Sequence, residues 1–384
     1  MPHVTPEIET FARIKVIGPG GSGKNALNHM INSKVRGVEF IAVNTDAQDL
    51  HQCLSKKKIH IGKNLTKGLG AGMNPDIGRR AAEETKEEIQ EALKGADMVF
   101  IACGLGGGTA SGAAPIVAKT AKELGALTVA VVTKPFSFEG KQRMAIADQA
   151  LENLKKEVDA IVIIPNDRLL ATIDRNTTAK QAFAMCDEVL RQGVEGISYL
   201  ITMPGIINID FADIRAIMEN AGSALMGIGV ASGEKRAEEA AKAAISSPLL
   251  DLSITGAKGV LFSISGGDDV GMLEIQDAAK IITDSIDPNA KVIFGAVHDD
   301  KLKKGDIKVT VIATGFGDGA MVLNHKRLFQ DDKEKVQTGK IFNSVIPPKE
   351  EKSTEKDKKE EKKSIPTIEE DDWSAVPSFL RRKK

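Results

Sequence analysis

Three features of the chain predict an α/β fold. From residue 13 to residue 167, short β-branched runs alternate with amphipathic stretches, the pattern of a parallel sheet covered by helices on both faces. Glycine clusters follow the ends of those runs, where open sheets of this kind hold their ligands. From about residue 222 to 318 the pattern changes to β-runs interleaved with helices at 234–246 and 272–286, a second, smaller mixed α/β domain.

The elements follow in order. "RIKVIG" (13–18) is a short strand ending in glycine, and "NALNHMINSKV" after the glycine turn has helical spacing. "EFIAVNTD" (39–46) is a second strand, and "AAEETKEEIQEALKGA" (81–96) an amphipathic helix with a glycine stop. "MVFIACGLGGG" (98–108) is a buried strand running into glycines. It is followed by helix "ASGAAPIVAKTAKELGA", strand "LTVAVVTKPF", helix "RMAIADQALENLKKEV" and strand "DAIVIIPND". A long apolar-patterned helix then runs from about Thr178 to Gly196. The β-runs "ALMGIGVASG", "AKGVLFSISG", "AKVIFGAVHDD" and "IKVTVIATGF" belong to the second domain.

Composition then breaks. In Lys349–Ser364, 13 of 16 residues are charged, so no core can form there. An apolar patch returns in "WSAVPSFLRRKK" (373–384), a sticky segment on a tether, which is how docking peptides are built. The predicted plan is a disordered N-terminal extension (1–12), a Rossmann-like parallel-sheet domain (13–177) and a central linking helix (178–202). A C-terminal α/β domain (203–320), a mostly flexible charged linker (321–372) and a docking peptide (373–384) follow.

The bulk numbers exclude several classes. A formal net charge of -1 gives no support for a nucleic-acid surface. Cys53, Cys103 and Cys186 are too scattered for a disulfide framework or zinc cluster, which fits a reducing, intracellular setting. The N-terminus lacks the pattern of a signal peptide, and no stretch approaches the roughly 20 apolar residues of a membrane span.

The glycine loops carry the chemistry. "GPGGSGKN" (18–25) meets the P-loop pattern at Gly18, Gly23 and Lys24, but Asn25 stands where a Ser or Thr would hold magnesium. The same loop satisfies the dinucleotide pattern G-x-G-x-x-G at Gly18, Gly20 and Gly23, with Asp46 a candidate ribose ligand. A dehydrogenase does not explain a second loop, "GLGGGTASG" (104–112), or a third, "GLGAGMNPDIG" (68–78). Consecutive glycines let backbone N–H groups turn toward a phosphate, and a following helix N-terminus adds free amides. Three such loops around one crevice point to a polyphosphate.

"GGGTASG" resembles the G-G-G-T-G-[ST]-G signature of the tubulin/FtsZ GTPase family. From about 13 to 320 the chain resembles the bacterial cell-division branch of that family. The matching pieces, in order, include "NTDAQDL" (44–50), "GAGMNP" (70–75), "TKPFSFEG" (133–140), "PNDRLL" (165–170) and "PGIINIDFADIR" (204–215). "VPSFLRR" (376–382) resembles the family's docking peptide.

The resemblance implies a GTP-hydrolysing, Mg²⁺-dependent protein that assembles head-to-tail with copies of itself. It implies a cytoplasmic location at the mid-cell division site, reached through membrane-anchoring division proteins bound to 373–384, with assembly regulators as further partners and no nucleic acid. Gly20, Gly21 and Asn25 would form the first phosphate loop, and Asn44 and Asp46 the second, near magnesium. Ala71 and Gly72 would sense the γ-phosphate, and Gly107, Gly108 and Thr109 would clamp the phosphates. Pro135, Glu139 and Arg143 resemble the sugar-side group, Asn166 and Asp187 the guanine readers, and Phe183 the ring that stacks on the base. Magnesium would be held mainly through phosphates and water.

Ser22, Lys24, Ala110 and Tyr199 depart from the family pattern. Lys24 reads as facing solvent, and Ala110 is tolerable only with a negative φ.

Asp210 and Asp213 lie in a turn leading into a helix. Alone they read equally as an N-cap and first-turn acid pair. The resemblance makes them catalytic, with Asn208 orienting the loop or the nucleotide. A helix from 178 to 197 spans about 30 Å, so within one subunit they would not reach the phosphates; the resemblance implies that they enter the nucleotide pocket of the next subunit. Two other readings stay open: an NAD-binding oxidoreductase, and a tubulin-like segregation or scaffold filament with weak hydrolysis.

Overall fold

The computed structural model describes residues 12–170, 176–203, 205–207, 209–247, 254–267, 269–299 and 302–316. The first eleven residues, Asn208, the expected linker 321–372 and the expected docking peptide 373–384 lie outside the described residues.

The chain opens with β1 (Ile14–Pro19), buried along its whole length, and turns into α1 (Gly20–Asn32). β2 (Val38–Asn44), α2 (Ala47–His51), β3 (Lys57–His60) and α3 (Lys63–Thr66) follow. Where the sequence predicts one helix over 81–96 there are two, α4 (Pro75–Glu84) and α5 (Lys86–Leu93). The break is Thr85. Its hydroxyl donates to the Ala81 carbonyl at 3.2 Å and accepts from the Gly62 N–H at 3.2 Å. This competition with the helical ladder holds Thr85 at φ -112°, ψ 22°. β4 (Met98–Gly104), α6 (Gly108–Glu123), β5 (Leu127–Lys134), α7 (Lys141–Lys155), β6 (Ala160–Pro165) and α8 (Asn166–Leu170) complete the first half.

These strands pair in the order β3-β2-β1-β4-β5-β6, every pair parallel. The winding reverses between β1 and β4, which opens a crevice at their C-terminal ends. Val16 belongs to one buried cluster and its neighbour Ile17 to another. Successive side chains of one strand thus enter cores on opposite faces, as a doubly covered sheet requires.

The long helix α9 (Ala179–Thr202) starts at a capping box. The Gln181 N–H donates to the Thr178 hydroxyl, and the Gln181 side chain accepts from the Thr178 N–H. It continues past Gly196 to Thr202. Gly193 and Gly196 are packing positions, not stops. A Cβ on Gly193 would stand 2.9 Å from Val131 Cγ1, and one on Gly196 3.0 Å from Thr310 Cγ2. The missing side chains seat α9 flush against the sheet.

The second half contains β7 (Gly205–Ile207), α10 (Phe211–Met218), β8 (Gly222–Ser232), α11 (Arg236–Ile245), β9 (Gly259–Gly266), α12 (Met272–Thr283), β10 (Lys291–His298) and β11 (Asp306–Thr314). Its order is β8-β11-β9-β10-β7, with β9–β10 parallel and the other pairs antiparallel. β8 pairs with β6 in parallel, from Ala160–Gly222 to Val162–Ala224, so both halves share one 11-stranded sheet. Phe262, Ile264, Val309, Ile275 and Ile282 form the core here. Burying each such side chain stabilises the fold by about 1.5–3 kcal/mol relative to leaving it in water. Among the described residues no helix is long and apolar enough to cross a membrane.

Candidate nucleotide-binding site

Gly20 holds φ at +76°, which L side chains avoid. A Cβ there would stand 3.2 Å from the Ala110 amide nitrogen and 3.5 Å from Thr109 Cβ. The loop after β1 therefore rests on the loop after β4. Ser22 fastens the contact: its hydroxyl accepts from the Gly104 N–H at 2.9 Å and donates to the Gly104 carbonyl at 3.1 Å. The third loop closes from the other side. A Cβ on Gly108 would lie 2.7 Å from the Asn74 nitrogen and 2.9 Å from Ala71 Cβ, and Asp46 forms a β-bridge with Leu69. Gly20, Gly21, Asn44, Asp46, Ala71, Gly72, Gly107, Gly108 and Thr109 are thus carried on loops that meet at one crevice. At Gly72 and Gly107 a Cβ would meet nothing within 4 Å, so their backbones border open space.

The crevice suits an anion. α6 and α1 both begin without a side-chain cap and without an acidic residue in the first turn. Their leading amides and the positive ends of their dipoles are free for a ligand. Ala110 sits in the first turn of α6 and is absent from the positive-φ residues, so its methyl is accommodated.

Beyond the glycine loops lies a cavity lined by Asn25, Pro135, Glu139, Arg143, Asn166, Phe183 and Asp187, together with Ser22, Thr133 and Cys186. The structure brings these residues together from α1, the end of β5 and the turn after it, α7, α8 and α9. Asn166 is 5% exposed, and its Oδ1 has no partner among the described residues; Arg143 Nε has none either. A buried orphan acceptor costs about 1–3 kcal/mol, which a ligand N–H would offset. Glu139 accepts from the Phe136 N–H at 2.9 Å and pairs with Arg143 at 3.2 Å. Burial pushes the Asp187 carboxyl up to about 6, against the pull of His29 and Lys24. Phe183 is 46% exposed and meets Phe136 at 5.4 Å, offering a flat apolar surface to a base.

Lys24 is a correction. It does not face solvent but is 9% exposed, with Nζ 2.5 Å from Asp49 Oδ1. α1 turns it inward toward the end of β2, where Asp49 supplies the counter-ion that makes burial tolerable. Asp49 is a contributor that the sequence does not single out. Asp49 follows the N-cap Asp46, whose Oδ1 accepts its N–H at 3.0 Å, so in sequence it reads as an ordinary first-turn acid.

The acid pair is not in this crevice. Asp210 is the N-cap of α10, its Oδ1 accepting from the Ala212 N–H at 3.1 Å, and Asp213 sits in the first turn. Both are exposed. They follow the C-terminal end of α9, whereas Phe183 and Asp187 lie near its start; a helix of that length is about 36 Å long. Among the described residues no three His, Cys, Asp or Glu side chains gather to hold a metal.

A cradle of glycine loops at the reversal of a parallel sheet, continuous with a cavity bearing a buried carboxamide and carboxylate, defines a nucleotide-binding α/β protein. Comparison with known proteins narrows the class. Residues 13–174 match the model of the Tubulin/FtsZ family, GTPase domain, and residues 222–317 that of the FtsZ family, C-terminal domain. An empty FtsZ dimer from M. jannaschii is 47% identical, covering 80% of this chain and 89% of that one, with a TM-score of 0.77. A mutant FtsZ from the same organism is 48% identical, with coverages of 80% and 92% and a TM-score of 0.76. The GTPγS-bound protofilament of CetZ2 from Haloferax volcanii shares the fold at 21% identity, with coverages of 82% and 97% and a TM-score of 0.68. The chain belongs to the tubulin/FtsZ family and is a GTPase.

Proposed function

We propose that this GTPase forms head-to-tail filaments in cell division and hydrolyses GTP where the acidic loop of one subunit meets the nucleotide cavity of the next. The observation that carries the reading is the exposure of Asp210 and Asp213 at the far end of α9 from the cavity. A repeated contact that does not close on itself gives a filament. The 47%-identical relative, an FtsZ dimer, supports self-association. In this reading residues 13–177 form the GTP-binding domain, 178–202 the linking helix and 203–320 the polymer-interface domain.

The loop glycines and Thr109 hold the phosphates. Glu139 and Arg143 hold the sugar, and Asn166 and Asp187 read guanine, whose N1–H and 2-amino groups adenine lacks. Asp210 and Asp213 position the attacking water while amides stabilise the developing charge. Asn208 orients their loop. Magnesium would be held mainly through the phosphates and water, on the side of the crevice bearing Asn44 and Asp46, and would supply positive charge against the developing negative charge. Residues 373–384 recruit a membrane-anchoring partner at the division site, and deleting them leaves GTPase activity intact.

Phosphate release from GTP, measured with light scattering over a range of protein concentrations, tests the proposal. Release that rises steeply above a threshold, together with scattering and with ATP inert, is expected. Release linear in protein from the lowest concentration would mean a self-contained site. Release without scattering at any concentration would reject the filament.

A further inference from the structure

Lys24 stands in the first glycine loop where the family pattern leads one to expect a small residue, and nothing in the proposed hydrolysis uses it. A buried ammonium needs a reason, because removing it from water is costly unless it is paired. Its partner Asp49 has contacts on both oxygens. Oδ1 takes Lys24 Nζ at 2.5 Å, and Oδ2 takes Asn44 Nδ2 at 2.8 Å. Asn44 Oδ1 in turn accepts from the Asp46 N–H at 3.3 Å. The carboxylate also lies against the first loop: a Cβ on Gly21 would stand 3.4 Å from Asp49 Oδ2. An anion is thus built in beside the backbone that faces the phosphate crevice. The side chains of the pair are only 11% and 26% exposed, so solvent screens them weakly.

These contacts make two demands. An uncompensated Asp49 carboxylate next to a polyphosphate would repel it, and more strongly as phosphates are added. Asn44, at the end of β2, is held in its orientation through the same carboxylate. Lys24 meets the first demand by cancelling the charge, and the second by fixing Asp49.

We propose that Lys24 is a positioning residue of the nucleotide site, which neutralises Asp49, fixes Asn44 through it, and thereby sets how strongly affinity depends on the phosphate charge of the ligand. The inference rests on the assignment of the crevice to the phosphates of a guanine nucleotide. Local net charge is the controlling quantity. The parent pair carries none, Lys24→Met leaves one negative charge, Asp49→Asn leaves one positive charge, and the double variant carries none.

The experiment is calorimetric titration of the full-length protein, below its assembly threshold, with GTP, GDP and guanosine at two salt concentrations. Lys24→Met should weaken GTP about tenfold, GDP less, and guanosine within about twofold of parent. Asp49→Asn should tighten GTP relative to guanosine, and the double variant should return the ratio close to parent. Lys24→Arg should retain most of the parent ratio, and because the pair is largely buried most of the difference should persist at high salt.

Equal weakening of all three ligands by Lys24→Met, or an unchanged GTP to guanosine ratio, would overturn the proposal. If Lys24→Met does not fold, Asp49→Asn decides alone: a GTP to guanosine ratio no higher than parent overturns the proposal. Failure of the parent protein to bind GTP would instead overturn the assignment of the crevice itself.

Discussion

The hydroxyl oxygens of Thr45 and Thr109 stand 2.6 Å apart, joining the end of β2 to the first turn of α6. Thr45 is wholly buried, and its carbonyl also accepts from Thr66 Oγ1 at 3.3 Å. With one hydrogen-bonding direction of Thr109 committed to Thr45, the other is left for a ligand in the proposed phosphate site. Thr45→Val keeps the shape and removes the contact. GTP affinity should fall about fivefold, as expected for about 1 kcal/mol of hydrogen bond. Calorimetry measures it, and an unchanged affinity would mean that Thr109 does not need the tether.

Asp187 carries the strongest prediction about base choice. In the proposed site its carboxylate would accept from the N1–H and 2-amino donors of guanine, and only when ionised. Burial raises its pKa to about 6 in the free protein, so the charged form is lost as pH falls through that value. GTP affinity should be level above about pH 7 and drop toward tenfold per pH unit well below pH 6. Asp187→Asn should weaken GTP about a hundredfold, remove this titration and improve XTP, whose 2-oxo group accepts from an amide. A parent protein whose GTP affinity is level down to pH 5 would exclude Asp187 as a charged reader.

The acid pair calls for variants that spare the helix cap. Asp210→Ala would also remove the N-cap of α10, at a cost of about 1 kcal/mol. Asp213→Ala avoids that confusion. It should bind GTP as the parent does, form filaments, and lose at least about a hundredfold in turnover, as when a water-orienting group is removed. In mixtures with parent, activity should fall with the fraction of mixed contacts. Equal turnover by variant and parent would remove Asp213 from the reaction.

Gly112 tests the support beneath the crevice. A Cβ there would lie 2.0 Å from the Pro75 carbonyl oxygen and 2.5 Å from the Arg79 nitrogen. Both are backbone atoms of α4, so α4 and α6 would have to separate. Gly112→Ala should destabilise the protein by about 2 kcal/mol or more and lower the melting temperature by several degrees. Thermal unfolding followed by circular dichroism checks this.

Much of the fold and site can be read from the residues alone, for physical reasons. β1 and β4 are apolar along their length because both faces are covered, and the glycine loops are conspicuous because few other residues allow such backbone approach. The features that escape are those in which tertiary contacts override a local signal. β3 is "KKIH", too short and too polar to read as a strand. Thr85 breaks a helix through a hydroxyl partner in another loop. Gly193 and Gly196 are poor helix formers whose place in α9 makes sense only once Val131 and Thr310 are seen against them. The β6–β8 pairing joins residues 160 and 222, a separation that leaves no periodic trace. Lys24 reads as an ordinary surface lysine because its partner Asp49 lies 25 residues on, in α2.

The placement of Asp210 and Asp213 beyond the far end of α9 also has a kinetic consequence for the head-to-tail reading. In an open chain of subunits, the terminal subunit that presents its cavity has no neighbour to complete it, so its nucleotide outlasts those inside. Every break creates one such long-lived end, and every annealing event removes one. Short filaments therefore age more slowly per subunit than long ones, and the rate of nucleotide loss becomes a record of filament length.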